Sequence, residues 1–148
     1  MEKSILIQEL KTIVEQRILT AKEDLQSLIQ SRDGDTKSSA GDKYETSREM
    51  VQREIERMHL QWKQLQHQYN QLEQLELSRV YVECQPGALV QLDDQWILLG
   101  PALGKVTIQG FLLLSISMAS PIGQLLKRKG AGDEIVFQKK KKRINQVL

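Results

Sequence analysis

Several residue types on which common functions depend are scarce in this chain. Cys84 is the only cysteine among 148 residues, so no intramolecular disulfide can form and a cysteine-held metal cluster is excluded. The two histidines, His59 and His67, stand eight residues apart in a helical stretch and lack a metal-ligand spacing. Proline occurs three times and not before Pro86, so nothing interrupts a helix across the first half. Aromatic residues make up 5%, which argues against one large globular core. An excess of either charge is missing too. With 21 basic and 19 acidic residues the net charge is +2, too balanced for nucleic acid to be held by net charge alone. Apolar runs such as residues 111–114 are far too short to cross a bilayer, and residues 1–8 lack the apolar length of a signal peptide. A soluble, cytoplasmic protein with no membrane partner is expected.

Helical periodicity fills the first half. Val51, Ile55, Met58, Trp62, Leu65, Tyr69 and Leu72 alternate steps of four and three, which is a heptad seam. Ile7, Leu10, Val14, Ile18, Ala21, Leu25 and Leu28 form a second seam with one imperfect step. Residues 32–46 between them are polar and hold Gly34 and Gly41. Two seams joined by a short polar link predict an antiparallel coiled-coil hairpin over residues 1–77. Pairing Leu28 with Val51 and Ile7 with Leu72 closes the register around Ser39 and Ala40. At ~1.5 Å per residue, each arm of roughly 30 residues is about 45 Å long. A hairpin that satisfies its own seam predicts a monomer.

Composition changes after Leu77. Gln85, Pro86 and Gly87 mark a turn, and short strand-like runs follow at 88–92, 96–99, 105–109, 112–117, 134–138 and 143–148. Asp93 and Asp94 read as a hairpin turn. Pro121 followed by Ile122, Leu125 and Leu126 reads as a short helix that Gly130 and Gly132 end. The expected fold is therefore α+β: the hairpin, then a small antiparallel sheet domain over residues 78–148 with one short helix.

The chemistry-bearing residues gather at the predicted hairpin tip, near residues 33–45, where Asp33, Asp35, Asp42 and Glu45 fall. Carboxylates on a rigid arm can offer oxygen ligands to a hard cation inside another molecule. Asp42 with Glu45 also has the spacing of a helix capping box, and Thr46 with Glu49 is a second candidate. Spacing leaves both readings open. Residues 139–143, four lysines and Arg143, suit either a nucleic-acid patch or the turn and flank of a closing β-hairpin. Cys84 has no acid or histidine at motif spacing and reads as a structural thiol. Trp62 and Tyr69 fall on the seam, and the histidines read as solvated helix-face residues.

Two segments carry a family resemblance. Gly41-Asp42-Lys43-Tyr44-Glu45, opening the second helix, resembles the Gly-Asp-x-x-Glu tip motif of the Gre transcript-cleavage factors. Ser120-Pro121-Ile122-Gly123-Gln124-Leu125-Leu126, with Lys129-Gly130-Ala131-Gly132-Asp133-Glu134-Ile135, is similar to the segment that closes their carboxyl-terminal domain. The resemblance implies a carboxyl-terminal domain with the fold of the FK506-binding isomerases. It also implies RNA polymerase as partner, a hairpin that enters the secondary channel, and contact with RNA or DNA in the elongation complex. Asp42 and Glu45 would then help hold a magnesium ion shared with the polymerase, whose own active site cleaves backtracked RNA. The chain would not be an enzyme alone and would have no cofactor of its own.

This sequence departs from the family pattern at Thr46, where Asn is usual, and in lacking the Glu-Tyr pair beyond it. Asp33 and Asp35 are further carboxylates of open role. A non-cleaving regulator of the same channel therefore stands as an alternative. From other classes stand a structural coiled-coil adaptor and a prolyl isomerase, the latter disfavoured because only Tyr81, Trp96, Phe111 and Phe137 follow Leu77 as aromatics.

Overall fold

The computed structural model describes residues 2–34 and 41–148, excepting the side chains of 41–45. Two long helices come first, α1 (Lys3–Gly34) and α2 (Gly41–Glu73). Six strands and one short helix follow: β1 (Leu89–Leu92), β2 (Gln95–Leu99), β3 (Gly104–Ile108), β4 (Phe111–Ile116), α3 (Pro121–Leu126), β5 (Glu134–Phe137) and β6 (Lys140–Val147). The helices extend into the polar link expected at 32–46 from both ends. The chain divides into two compact units, Thr12–His67 and the combination of Met1–Lys11 with Gln68–Leu148.

In the first unit α1 and α2 run antiparallel. Residues 16–24 lie across a shallow groove from residues 58–65, while further along α1 Arg32 Nη1 donates to Gln52 Oε1 at 2.9 Å. Every seam residue expected in this unit is buried or half-buried, and Val14 and Ile55 are the most enclosed, at 0% and 8% exposure. Two helices can shield a seam from only one side each, so most of it stays half-covered. Glu54 and Arg57, one turn apart, pair on the outer face.

The second unit is built on a six-stranded sheet in the order β3-β4-β2-β1-β6-β5. The sheet is mixed. Four pairings are antiparallel, but β2 and β4 run parallel, with Trp96 opposite Leu113 and Leu99 opposite Ile116. The sheet is thus mostly antiparallel, as expected, with this one parallel pairing. β3 itself is the crossover: it returns through the left-handed turn Gln109–Gly110, so β4 enters between β3 and β2 in the direction of β2.

Alternation along the strands gives the sheet two apolar faces. One gathers Val90, Leu92, Ile97, Leu99, Ile135 and Ile144 beneath Leu126 of α3, with Tyr81 and Cys84 from the preceding segment. The other buries Leu89, Leu98, Val106, Ile108 and Leu113. Leu6, Ile7, Leu10 and Leu72, from the feet of the hairpin, are enclosed in this unit as well. Polar contacts tie those feet down: Lys3 Nζ donates to the Leu148 carbonyl at 3.1 Å, and Gln68 Nε2 to that of Ala102 at 3.1 Å. Lys11 pairs with Glu73 at 3.4 Å, whose carboxyl is held below its usual pKa first by a hydrogen bond with Tyr69 and then by Lys11.

α3 begins as its sequence predicts. Ser120 caps it, its Oγ accepting from Gly123 N at 3.0 Å, and Pro121 opens the first turn. The helix stops earlier than expected. Its last residue is Leu126, and Arg128 (φ 63), not a glycine, takes the left-handed position beyond it.

Candidate functional site

Asp42 and Glu45 are the second and fifth residues of α2, three apart in its opening turns. A helix N-terminus carries about half a positive charge, which favours carboxylates there. Their side chains lie outside the described residues, as does Asp35. Asp33 is in the last turn of α1, where Arg32 Nε donates to its Oδ1 at 3.2 Å. Thr46 and Glu49 are both inside α2, so the second capping box does not form; a cap residue must leave helical φ and ψ. Among the described residues no group of three or more His, Cys, Asp or Glu is placed to hold a metal ion.

The second resembling segment forms a defined turn. Gly132 takes φ 92, where a side chain would be strained, and its N–H donates to the Ile144 carbonyl at 2.7 Å. Ile144 N–H returns to the Asp133 carbonyl at 2.9 Å. Asp133 Oδ2 accepts from Gly130 N at 2.8 Å. Gly-Asp-Glu thus enters the β5–β6 hairpin, and the basic run falls on that hairpin's turn and inner strand: Lys139 in the turn, Lys140 to Arg143 in β6.

Other candidates resolve into structure. Cys84 is buried at 1% exposure, and burial, followed by the charges of Asp133 and Glu83, pushes its thiol up to about 11. Such a thiol is a poor nucleophile at neutral pH. His59 and His67 are exposed, as expected. Trp62 stays on the seam, with its ring centroid 5.7 Å from that of His59. The four later aromatics do not converge. Trp96 and Phe111 stack at 6.2 Å on one face of the sheet, Tyr81 belongs to the cluster on the other, and Phe137 ends β5.

Two features carried no motif. Tyr81 lies between cations, with Lys3 Nζ 4.1 Å and the Arg79 guanidinium carbon 5.2 Å from its ring centroid. It also lines an open groove of about 440 Å³ with Gln74, Leu75, Arg79, Pro86 and Met118. Buried Gln68 is the other; its one signal in sequence is a polar residue beside the seam position of Tyr69.

The structure is similar to that of a GreA-factor homologue. The solved structure of GreA factor homolog 1 (Gfh1) of Thermus thermophilus matches over 93% of this chain and 94% of its own, at 21% identity and a TM-score of 0.38. A second structure, of the transcription factor Gfh1, matches over 99% of this chain and 93% of its own, at 20% identity and a TM-score of 0.34. No family model and no curated protein matches the sequence. Among the described residues no helix is long and apolar enough to cross a membrane.

Proposed function

We propose that this chain is a Gre-type accessory factor of RNA polymerase. Its hairpin tip enters the secondary channel and presents Asp42 and Glu45 to a magnesium ion at the polymerase active site, stimulating cleavage of backtracked RNA. The observation that carries the reading is the coincidence of two motifs with two structural positions. Gly-Asp-x-x-Glu opens the returning helix of a coiled-coil hairpin, and Ser-Pro with Gly-Asp-Glu opens α3 and the β5–β6 hairpin. The chemistry is reasonable: an extra ion in a phosphoryl-transfer site needs added oxygen ligands, and once held it lowers the pKa of its water. In this reading the chain supplies ligands, and catalysis belongs to the polymerase.

The test is a pull-down with the host's RNA polymerase, then cleavage of a backtracked complex with and without magnesium. Asp42→Ala and Glu45→Ala are expected to abolish stimulated cleavage while binding persists. Failure of the unmodified chain to bind polymerase would overturn the reading. Thr46 and the added carboxylates Asp33 and Asp35 favour a second reading, a regulator that occupies the channel without cleaving. In that case the chain binds, does not stimulate, and slows nucleotide addition.

A further inference from the structure

The apolar seam of the hairpin stops short of its tip. Leu28, Ile29 and Val51 are its last half-buried members in that direction. Beyond them residues 30–34 and 46–50 are exposed, with one exception. Arg32 is half-buried, its side chain 28% exposed. Apolar packing therefore does not hold the last turn of α1 against the opening turns of α2.

A chain of polar side chains spans the helices there instead. Arg32 Nη1 crosses to α2 and donates to Gln52 Oε1 at 2.9 Å, while Arg32 Nε donates to Asp33 Oδ1 at 3.2 Å. Gln52 Nε2 in turn donates to Glu56 Oε1, one helical turn on, at 3.4 Å. Each contact sets the next. Asp33 fixes the plane of the guanidinium, whose rigid fork offers separate donors to Asp33 and to Gln52. Glu56 takes the amide nitrogen of Gln52, which leaves the amide oxygen to face Arg32. Gln52 stands seven residues after Glu45, about two turns of α2.

We infer that Arg32, set by Asp33 and received by Gln52, braces the two helices and is a positioning residue for Asp42 and Glu45. The positioning role rests on the polymerase reading; the brace itself does not. Asp33 thereby gains a task within the chain, as the acceptor that orients Arg32. An exposed polar contact contributes little to folding. Misplacing a group by about 1 Å at a reacting centre, in contrast, can cost ~100-fold in rate. The brace therefore shows in cleavage and in the order of the tip, and hardly in unfolding.

Two measurements test it. Spin labels at Ser31→Cys and Arg48→Cys report, through their dipolar coupling, the separation of the helices near the tip; buried Cys84 stays unlabelled. Arg32→Met should broaden that distribution of distances while the melting temperature changes little. The reciprocal pair Arg32→Gln/Gln52→Arg, which keeps one donor and one acceptor across the helices, should narrow it again. In backtracked polymerase complexes, Arg32→Met should bind as the parent does but cleave about tenfold more slowly. It should also need more magnesium to reach half its maximal rate, and the reciprocal pair should recover most of both losses. A distance distribution unchanged by Arg32→Met overturns the brace. A reciprocal pair as slow as Arg32→Met overturns the positioning role and marks Arg32 as a direct contact to RNA or polymerase. A parent chain that never stimulates cleavage overturns the polymerase reading and the positioning role with it, while the spin-label distances still decide the brace.

Discussion

Lys3 donates its ammonium to a carbonyl and lies over an aromatic face, yet burial pushes its pKa from 10.5 down to about 8. Below pH ~8 the folded chain carries the cost of desolvating that charge. From there towards 10.5 the unfolded chain binds more protons, so this residue's contribution to stability rises with pH. Lys3→Met should lack that rise, which urea unfolding of both proteins at about pH 7.5 and pH 9 would reveal. Cys84 acts in the opposite sense. Its thiol titrates near 9 unfolded and about 11 folded, so stability falls as pH passes through that interval, equally in both proteins. With its sulfur buried and protonated, Cys84 should react with a disulfide reagent at about pH 8 only at the rate of local opening. Immediate labelling would contradict the buried placement. Cys84 could be read as structural from sequence because no partner stands near it. The Lys3–Tyr81 contact could not, because its members are far apart in the chain.

The helical elements were the most legible. A heptad pattern constrains many residues to one stripe, and the stripe buried in α1 and α2 is the one the spacing marks. Ile55→Ala should therefore cost about 2 kcal/mol, the low end for a buried aliphatic because two helices enclose it loosely. Leu60→Ala, at a residue 67% exposed in the same helix, should change stability by less than about 0.5 kcal/mol. Urea unfolding followed by helical circular dichroism separates the two. α3 depends on a closer fit. A Cβ on Gly123 would collide with the Ser117 carbonyl oxygen and stand 2.7 Å from that of Met118, both backbone atoms. Gly123→Ala is expected to destabilise by roughly 2 kcal/mol, the range for overpacking, measured as a lowered melting temperature. The strands were legible one by one, because turn residues and alternation are local signals. Their order was not. The parallel pairing of β2 with β4 follows from which way the β3–β4 hairpin folds, and no local pattern encodes that.

At the scale of the whole molecule, residues 1–11 and 68–77 belong to the sheet's compact unit although their sequence reads as coiled coil. Leu6, Ile7, Leu10 and Leu72 are each 0–1% exposed there. Burying one such side chain is worth about 1.5–3 kcal/mol, so a fragment covering residues 78–148 loses a large part of its stability. It should bind the dye ANS and lack a sharp near-UV spectrum, as a loosely packed state does. A fragment that melts cooperatively without dye binding would show the sheet to be self-sufficient.

What the residues alone determined are the features written in short-range chemistry: the two seams, the turns, the Ser120-Pro121 start of α3, the inert thiol, and the two motifs behind the polymerase reading. Tertiary structure decided the one parallel pairing in the sheet, the burial of the helix feet beside Gln68 and Tyr81, and the extension of the basic stretch of β6 beyond the end of β1. The physical reason is range. Periodicity and capping act over a few residues, whereas strand order and the closing of an apolar face are set by contacts between residues far apart in the chain.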